Sequence, residues 1–271
     1  MKIAVAGSTG RVGRYIVETL ESAGHQVVPM ARARGVDIVT GEGLRQALAG
    51  VECVIDAASS PSPEQTAATN FFTAAAHNLQ RTGALAGVKR MVVVSIIGID
   101  HFTAGYNAAK LAHERAVLSG PIPVSVLRAA QFHEFVAQLV AWGRQDNVSR
   151  VPQMPAQLVA ARTVAQALAS LATAAEFAPA TGSTDFPQIA GPRVENMADA
   201  AKRLVARDAK PLKIEGVDRT DDPDWELYRS GALLPGPNAT LAGPTFDEWL
   251  ASRPDVVSDT SSRAQSARSN P

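Results

Sequence analysis

The sequence predicts an α/β protein with a doubly wound parallel sheet and helices on both faces. Short apolar runs alternate with segments of helical spacing through the first half of the chain. Runs that are apolar at every position are typical of strands buried on both faces. A strict alternation of strand and helix requires crossover connections, which make the strands parallel. Ligands of such sheets bind beyond the carboxyl ends of the strands, so functional residues should follow strands directly.

The first half of the chain is predicted to supply most of the sheet. The expected strands are the apolar runs 2–7, 25–32, 53–58, 89–98 and 123–130. The expected helices have apolar residues at helical spacing, end at glycine, and cover 11–24, 41–50, 62–87 and 106–120.

The second half is less regular and predicts a small α+β region. Its amphipathic helices are expected over 161–178 and 194–209, and its short strands over 185–191 and 211–217. The resulting division is 1–150, a dinucleotide-binding domain, and 151–253, a smaller substrate-binding region. From 254 to 271 the chain has little apolar content and is expected to be a polar tail that is disordered or, alternatively, rests on its own chain or a neighbour.

Composition favours a globular protein that acts on a small molecule. The formal net charge is zero, so the chain as a whole has no electrostatic attraction to nucleic acid or to an anionic membrane. No apolar run approaches the ~20 residues of a membrane span, and no signal peptide is visible, so we expect a cytoplasmic protein. Cys53 is the single cysteine, which excludes a disulfide within one chain and a multi-cysteine metal site. A homo-oligomer is compatible with these features.

The stretch "AGSTGRVG" carries three glycines between the first strand and the first helix. Gly7 permits a tight turn, Gly10 lets the main chain approach a pyrophosphate, and Gly13 lets the helix pack closely on the strand. The free N–H groups and dipole of the helix start attract the phosphates. The intervening residues are expected to contact the cofactor as well: Ser8, Thr9, Arg11 and Val12. The alternative is a structural turn in another α/β fold.

The end of the second strand favours NADP(H) over NAD(H). A site that prefers NAD usually has an acidic residue there for the ribose hydroxyls. This chain instead has Arg32 and Arg34, and the first acidic residue is Asp37. The planar donors of a guanidinium match a ribose 2′-phosphate, and Arg32 is nearer to the strand. A solvated arginine pair is the alternative.

These motifs resemble the short-chain dehydrogenase/reductase superfamily, and within it the atypical, NmrA-like NAD(P)H-binding group. The resemblance is carried by "AGSTGRVG", "VIDAAS", "GVKRMVVVSIIGID", "YNAAK" and "VLRAAQFHEF", and later by "IAGP" and "ALLPGPNATLAGPTFDEWL". It implies a Rossmann-like fold and places Asp56 and Ala57 near the adenosine half of the cofactor.

Tyr106 and Lys110 lie four residues apart at the start of the helix after the fourth strand, and Ser95 lies near the end of that strand. The resemblance implies that Tyr106 is the acid/base, that Lys110 favours its phenolate and holds the nicotinamide ribose, and that Ser95 donates to the substrate oxygen. The alternative is a tyrosine packed on the sheet with an exposed lysine. Neither Asn70 nor Asn78 can be assigned as the asparagine that often completes the group.

The residues after the fifth strand have two interpretations. Gln131, Phe132 and His133 either line the pocket, where Phe132 would stack on a flat substrate, or belong to the core and a helix cap.

We therefore expect an NAD(P)H-dependent reductase that transfers hydride to a carbonyl or quinone of a flat, apolar substrate, polyketide or aromatic in type. Some relatives reduce a quinone whose dihydro form then reacts with oxygen, so the reaction would support an oxygenation. A non-enzymatic NmrA-like regulator that senses NAD(P) is the alternative. A sugar-nucleotide epimerase is a third hypothesis. It is disfavoured because such enzymes normally have a larger C-terminal domain than the small region that follows the fifth strand here.

Overall fold

The computed structural model describes residues 1–180, 186–209 and 211–254. In these ranges it has twelve strands: β1 Lys2–Ala6, β2 Gln26–Met30, β3 Cys53–Asp56, β4 Arg90–Ile96, β5 Val124–Ala129, β6 Arg144–Gln145, β7 Val148–Pro152, β8 Pro155–Ala156, β9 Gln188–Ala190, β10 Glu195–Asn196, β11 Lys213–Val217 and β12 Thr240–Leu241. The same ranges contain nine α-helices: α1 Gly13–Ser22, α2 Leu44–Ala47, α3 Gln65–Ala86, α4 Gly105–Leu118, α5 His133–Trp142, α6 Ala161–Thr173, α7 Met197–Arg207, α8 Trp225–Ser230 and α9 Phe246–Ser252.

A seven-stranded sheet organises the molecule in the order β12-β9-β5-β4-β3-β1-β2. Every neighbouring pair in it is parallel, which confirms the predicted fold class. The chain adds β2 on one side of β1 and then returns to add β3 on the other side. The strand order reverses at β1, and a ligand site is therefore expected at the carboxyl ends of β1 and β3.

Helices cover both faces of the sheet because alternate strand residues point to opposite sides. On one face, Ile3 and Val5 of β1 pack with α1 and α6. On the other, Ala4 and Ala6 of the same strand pack against the side of the sheet covered by α3 and α4. Cys53 is buried within β3, as predicted.

The second half contributes to the main sheet and also builds a separate cluster. β9 and β12 extend the sheet beyond β5, so the sheet crosses the predicted boundary at residue 150, and that division stays a prediction. The helices α5, α7 and α9 pack around their own apolar cluster, next to the small sheet of β6, β7 and β11. The predicted polar tail lies, after Pro254, outside the described residues.

A buried ion pair and a set of hydrogen bonds to a buried carboxylate fix the position of α4 on the sheet. Arg128 of β5 forms hydrogen bonds of 3.0 Å and 2.8 Å to the carboxylate of Glu114 on α4, and it also binds Asp100. At the start of α4, the Asp224 carboxylate accepts from the main-chain N–H groups of Thr103 and Ala104, each at 2.8 Å. The C-terminal region thereby holds the first turn of α4 in place.

No helix in the described ranges combines the length and the apolar character that a bilayer crossing requires.

Candidate functional site

The glycine turn after β1 is packed so closely that side chains are excluded from it. Gly7 has a φ of 73°, and a Cβ there would lie 2.8 Å from the carbonyl oxygen of Ala57 and from the Cα of Ala58. A Cβ on Gly13 would overlap the Gly7 carbonyl oxygen. Gly10 is exposed and donates its N–H to that oxygen at 2.8 Å. The turn therefore presents bare main chain at the point where the strand order reverses.

The residues between the glycines face in different directions. Ser8 is buried, and its hydroxyl donates to the Met30 carbonyl at 3.1 Å, so its side chain ties the turn to β2. Thr9 is exposed on the rim. Arg11 donates to the Gln138 side chain at 2.8 Å and so joins the turn to α5. Val12 is buried in the core beneath α1.

Arg32 lies at the same edge of the sheet. It begins a short 3₁₀ turn, Arg32–Arg34, just after β2, and its side chain is exposed. Asp37 is the first acidic residue after this strand, and its carboxylate accepts from the main-chain N–H groups of Val39 and Thr40. The Asp37 carboxylate is thus hydrogen-bonded within its own loop, whereas the Arg32 side chain is exposed to solvent.

The segment after β3 links the glycine turn to Tyr106. Ala57 continues the strand ladder by donating to Ala6 at 3.1 Å, and Ala57 and Ala58 contact Gly7. The next residue, Ser59, has its hydroxyl 2.9 Å from that of Tyr106. Three consecutive residues therefore reach from the bare main chain to the phenol.

Tyr106 is the second residue of α4 and is half-buried. Burial raises the pKa of its phenol, and the hydrogen bonds from Ser59 and the main chain of Ser60 and the charge of Arg11 offset part of that rise. The phenol thus keeps its proton at neutral pH. Ser59 was not predicted from the sequence. It nevertheless follows the predicted strand 53–58 directly, which is where ligand-binding residues are expected in such sheets.

Lys110 points into the protein. Its ammonium donates to the Val94 carbonyl at 2.8 Å, binds His113 Nδ1 at 2.9 Å and lies 4.6 Å from the centre of the Phe72 ring. Burial lowers the pKa of Lys110 to about 8, and the Asp56 and Glu114 carboxylates oppose that shift. The structure gives Lys110 partners other than Tyr106, with Phe72 in contact with both.

Phe72 of α3 connects the titratable groups of this region. Its ring stacks on His113 with centroids 4.8 Å apart, and it meets the Tyr106 ring edge-on at 5.6 Å. Tyr106, Lys110 and His113 share one face of α4 because they are four and three residues apart. That spacing is visible in the sequence and could have identified His113.

Asp56 is turned inward rather than toward the rim. Its carboxylate accepts from the Ala58 N–H at 3.0 Å and binds His113 Nε2 at 3.1 Å. These bonds and the charge of Lys110 outweigh its burial and lower the pKa of Asp56. A cofactor contact at this position would come from the main chain of Asp56 or Ala57.

Ser95 lies near the carboxyl end of β4 and is buried. Its hydroxyl has no hydrogen-bond partner in the described part of the chain. The serine that contacts Tyr106 is Ser59, so the structure does not bring Ser95 and Tyr106 together as a bonded pair.

Of the two interpretations of the segment after β5, pocket or core, the structure supports the core for His133. His133 is fully buried, donates to the Pro244 carbonyl at 3.1 Å and packs against the rings of Phe246 and Trp249. Phe132 is half-buried just before α5, and the buried Oε1 of Gln131 has no partner among the described residues.

Neither asparagine on α3 joins the group around Tyr106. Asn78 donates to the carbonyls of Ile38 and Val39, and Asn70 is exposed. In the described ranges, no cluster of His, Cys, Asp and Glu side chains is placed to hold a metal ion.

Comparison with known proteins identifies the nucleotide-binding part of the chain. A family model described as NAD(P)H-binding matches residues 7–175, more than half of the chain. The match begins at Gly7, the first glycine of the turn. No curated protein matches the chain in sequence.

Three solved structures share the fold. MoeE5 in complex with UDP-glucose and NAD is 17% identical, with a TM-score of 0.67 over 93% of this chain and 96% of that chain. A short-chain dehydrogenase/reductase superfamily protein from Agrobacterium tumefaciens with bound NAD is 17% identical, with a TM-score of 0.63 over 93% and 95%. The dTDP-4-dehydrorhamnose reductase of Bacillus anthracis in complex with NADP is 14% identical, with a TM-score of 0.65 over 92% and 96%. At these identities the likeness shows the fold.

Proposed function

The chain belongs to the NAD(P)H-binding family, and from that premise we propose that it is an NAD(P)H-dependent reductase. Its substrate is a flat, apolar molecule, polyketide or aromatic in type, that is reduced at a carbonyl or quinone. The observation that carries the proposal is the contact between Tyr106 and Ser59, because residues 57–59 join this phenol directly to the glycine turn.

The glycine turn fits the diphosphate of a dinucleotide, because Gly7 and Gly13 leave no room for side chains of their own. α1 begins directly after this turn, so the positive end of its dipole also favours the phosphates there. Exposed Arg32 is placed to bind a ribose 2′-phosphate, so NADPH is the proposed cofactor and NADH the alternative. When bound, the cofactor supplies the hydride.

Tyr106 acts as the acid in this proposal. Its phenol is protonated at neutral pH, because burial raises its pKa, and it therefore has a proton to give to the reduced substrate oxygen. The bond to Ser59 orients the hydroxyl. Because Ser59 is exposed, it also offers a route by which solvent returns the proton after each turnover.

Lys110 supports the phenolate that remains after proton transfer. Its positive charge is buried, so little solvent screens it from nearby groups. Ser95 is retained as the proposed donor to the substrate oxygen, since its hydroxyl has no partner among the described residues.

The test is oxidation of NADPH and NADH in the presence of a panel of quinones and ketones, with wild-type protein and Tyr106→Phe. We expect wild-type turnover with NADPH, and a loss of about a hundredfold or more for ketone reduction by Tyr106→Phe. Binding of NADPH without oxidation by any acceptor would instead support the sensor. Conversion of a UDP-sugar without net change in cofactor would support the epimerase.

A further inference from the structure

Three buried titratable side chains form a continuous hydrogen-bonded series beside Phe72, whose ring also contacts Tyr106. His113 Nε2 lies 3.1 Å from Asp56 Oδ2, and His113 Nδ1 lies 2.9 Å from the Lys110 ammonium. The exposed fractions of Asp56, His113 and Lys110 are 1%, 1% and 4%. The reductase mechanism proposed above gives no role to the histidine at the centre of this series.

The hydrogen-bond chemistry fixes the protonation of His113. A lysine ammonium has donors and no acceptor, so His113 Nδ1 accepts from Lys110. Nε2 then carries the proton and donates to Asp56, which makes the imidazole neutral. Burial and the charge of Lys110 lower the pKa of His113, against the opposing pull of Asp56 and Glu114.

The charges within this group of three side chains balance. The Lys110 ammonium and the Asp56 carboxylate carry opposite charges, with the neutral imidazole between them. Glu114, the other nearby acid on α4, is already bound to Arg128. The Phe72 ring contacts both His113 and Lys110, and both side chains are almost fully buried. Loss of the imidazole would leave two charges buried with fewer partners.

We propose that His113 is the positioning residue of Lys110: a neutral Nε2–H imidazole, oriented by Asp56, that holds the ammonium against the Phe72 ring, which also contacts Tyr106. The functional consequence rests on the proposed reductase activity, in which Lys110 supports the Tyr106 phenolate. The ammonium has its donors directed to Val94, His113 and the face of Phe72, so its position depends on this imidazole.

The first test uses the wild-type protein and needs no activity. Long-range ¹H–¹⁵N spectra of uniformly ¹⁵N-labelled protein report the tautomer of each histidine, and His113→Gln assigns the His113 signals. We expect the Nε2–H tautomer of neutral His113 at and below neutral pH. A protonated ring at neutral pH, or the Nδ1–H tautomer, would overturn the proposal.

The second test compares two substitutions. Glutamine has a donor and an acceptor on one group, as neutral imidazole does, whereas leucine has neither. We expect His113→Leu to lower kcat by up to about a hundredfold, as misplacement of a catalytic group does, with little change in the KM for substrate. His113→Gln should recover most of that loss. The control is His77→Gln, on an exposed position of α3.

The pH dependence separates positioning from a general loss of structure. In His113→Leu the charged form of Lys110 loses an acceptor, so the alkaline fall in kcat/KM should move to lower pH, and in His113→Gln it should stay in place. If His113→Leu and the wild-type protein had the same kcat and the same alkaline fall in kcat/KM, the proposal would be contradicted. If His113→Leu does not fold, the tautomer of His113 in the wild-type protein and the kinetics of His113→Gln decide whether His113 positions Lys110. If the wild-type protein oxidises no cofactor, the proposed reductase fails, while the tautomer still decides the role of His113.

Discussion

The hydroxyl of Tyr106 lies 2.9 Å from the hydroxyl of Ser59, whereas the buried hydroxyl of Ser95 has no partner in the described part of the chain. The hydroxyl pair stands at the edge of the sheet where β1 and β3 end. Its position gives the phenol an orienting partner and access to solvent on the same side.

Ser59→Ala should therefore slow reduction. The loss of one hydrogen bond of about 1 kcal/mol corresponds to roughly a fivefold fall in kcat, because the phenol is less well oriented. Ser59→Thr keeps the hydroxyl and should retain more activity. The measurement is steady-state kinetics with the best acceptor in the panel. Ser60→Ala is the matched control, since it preserves the main-chain N–H near Tyr106; an equal loss in that control would argue against the role of Ser59.

The pH profile of kcat/KM should fall on the alkaline side. Lys110 must be protonated to support the phenolate, and its pKa is lowered by burial to about 8. Activity should thus be level below that pH and drop above it, by about tenfold per pH unit at the limit. The profile is measured with NADPH at constant ionic strength. In Lys110→Met the remaining activity should lack this fall, and a wild-type profile that stays flat well above pH 8 would exclude the assigned role.

Gly13→Ala should damage both stability and cofactor binding. The new Cβ would overlap the Gly7 carbonyl oxygen, which is main chain and cannot rotate away. We expect a loss of about 1–3 kcal/mol in the free energy of unfolding, larger than any gain in helix propensity, together with weaker binding of NADPH. Denaturant unfolding and fluorescence titration measure the two effects. Gly236→Ala, whose Cβ would have only ordinary contacts, is the control and should be near neutral.

Arg32→Ala should change the choice of cofactor. A guanidinium bound to a phosphate contributes about 1.5–3 kcal/mol, so kcat/KM for NADPH should fall by roughly ten- to a hundredfold while that for NADH changes little. Arg34→Ala removes the same charge two residues farther along and should have the smaller effect. Equal losses for both cofactors would show that Arg32 does not discriminate between them.

The sequence contained enough information for the first half of the fold. Uninterrupted apolar runs identified β1 to β5, and the glycine spacing identified the tight turn at the end of β1. Local patterns could not reveal that β9 and β12 join the same sheet, because such short strands are specified by their neighbours and not by their own residues. The predicted helix over 41–50 is shorter in the structure, where Gly43 in a left-handed conformation allows α2 to begin only at Leu44.

The sequence predicts a candidate site at the carboxyl ends of the strands, but it could not predict the contacts made there. Tyr106 and Lys110 are on one face of α4, as their spacing requires. The inward turn of Lys110 depends on Phe72 of α3 and on His113, which is itself bound to Asp56 of β3. Such contacts arise only when β3, α3 and α4 pack together. For the same reason the resemblance pointed to Ser95, while the folded chain places Ser59 at the phenol.

A crystal structure of the protein with NADPH tests the central claim most directly. The account predicts the diphosphate against the main chain of residues 7–13 and the nicotinamide beside the Tyr106 hydroxyl. A structure in which the glycine turn is empty and the nicotinamide is bound elsewhere would contradict it.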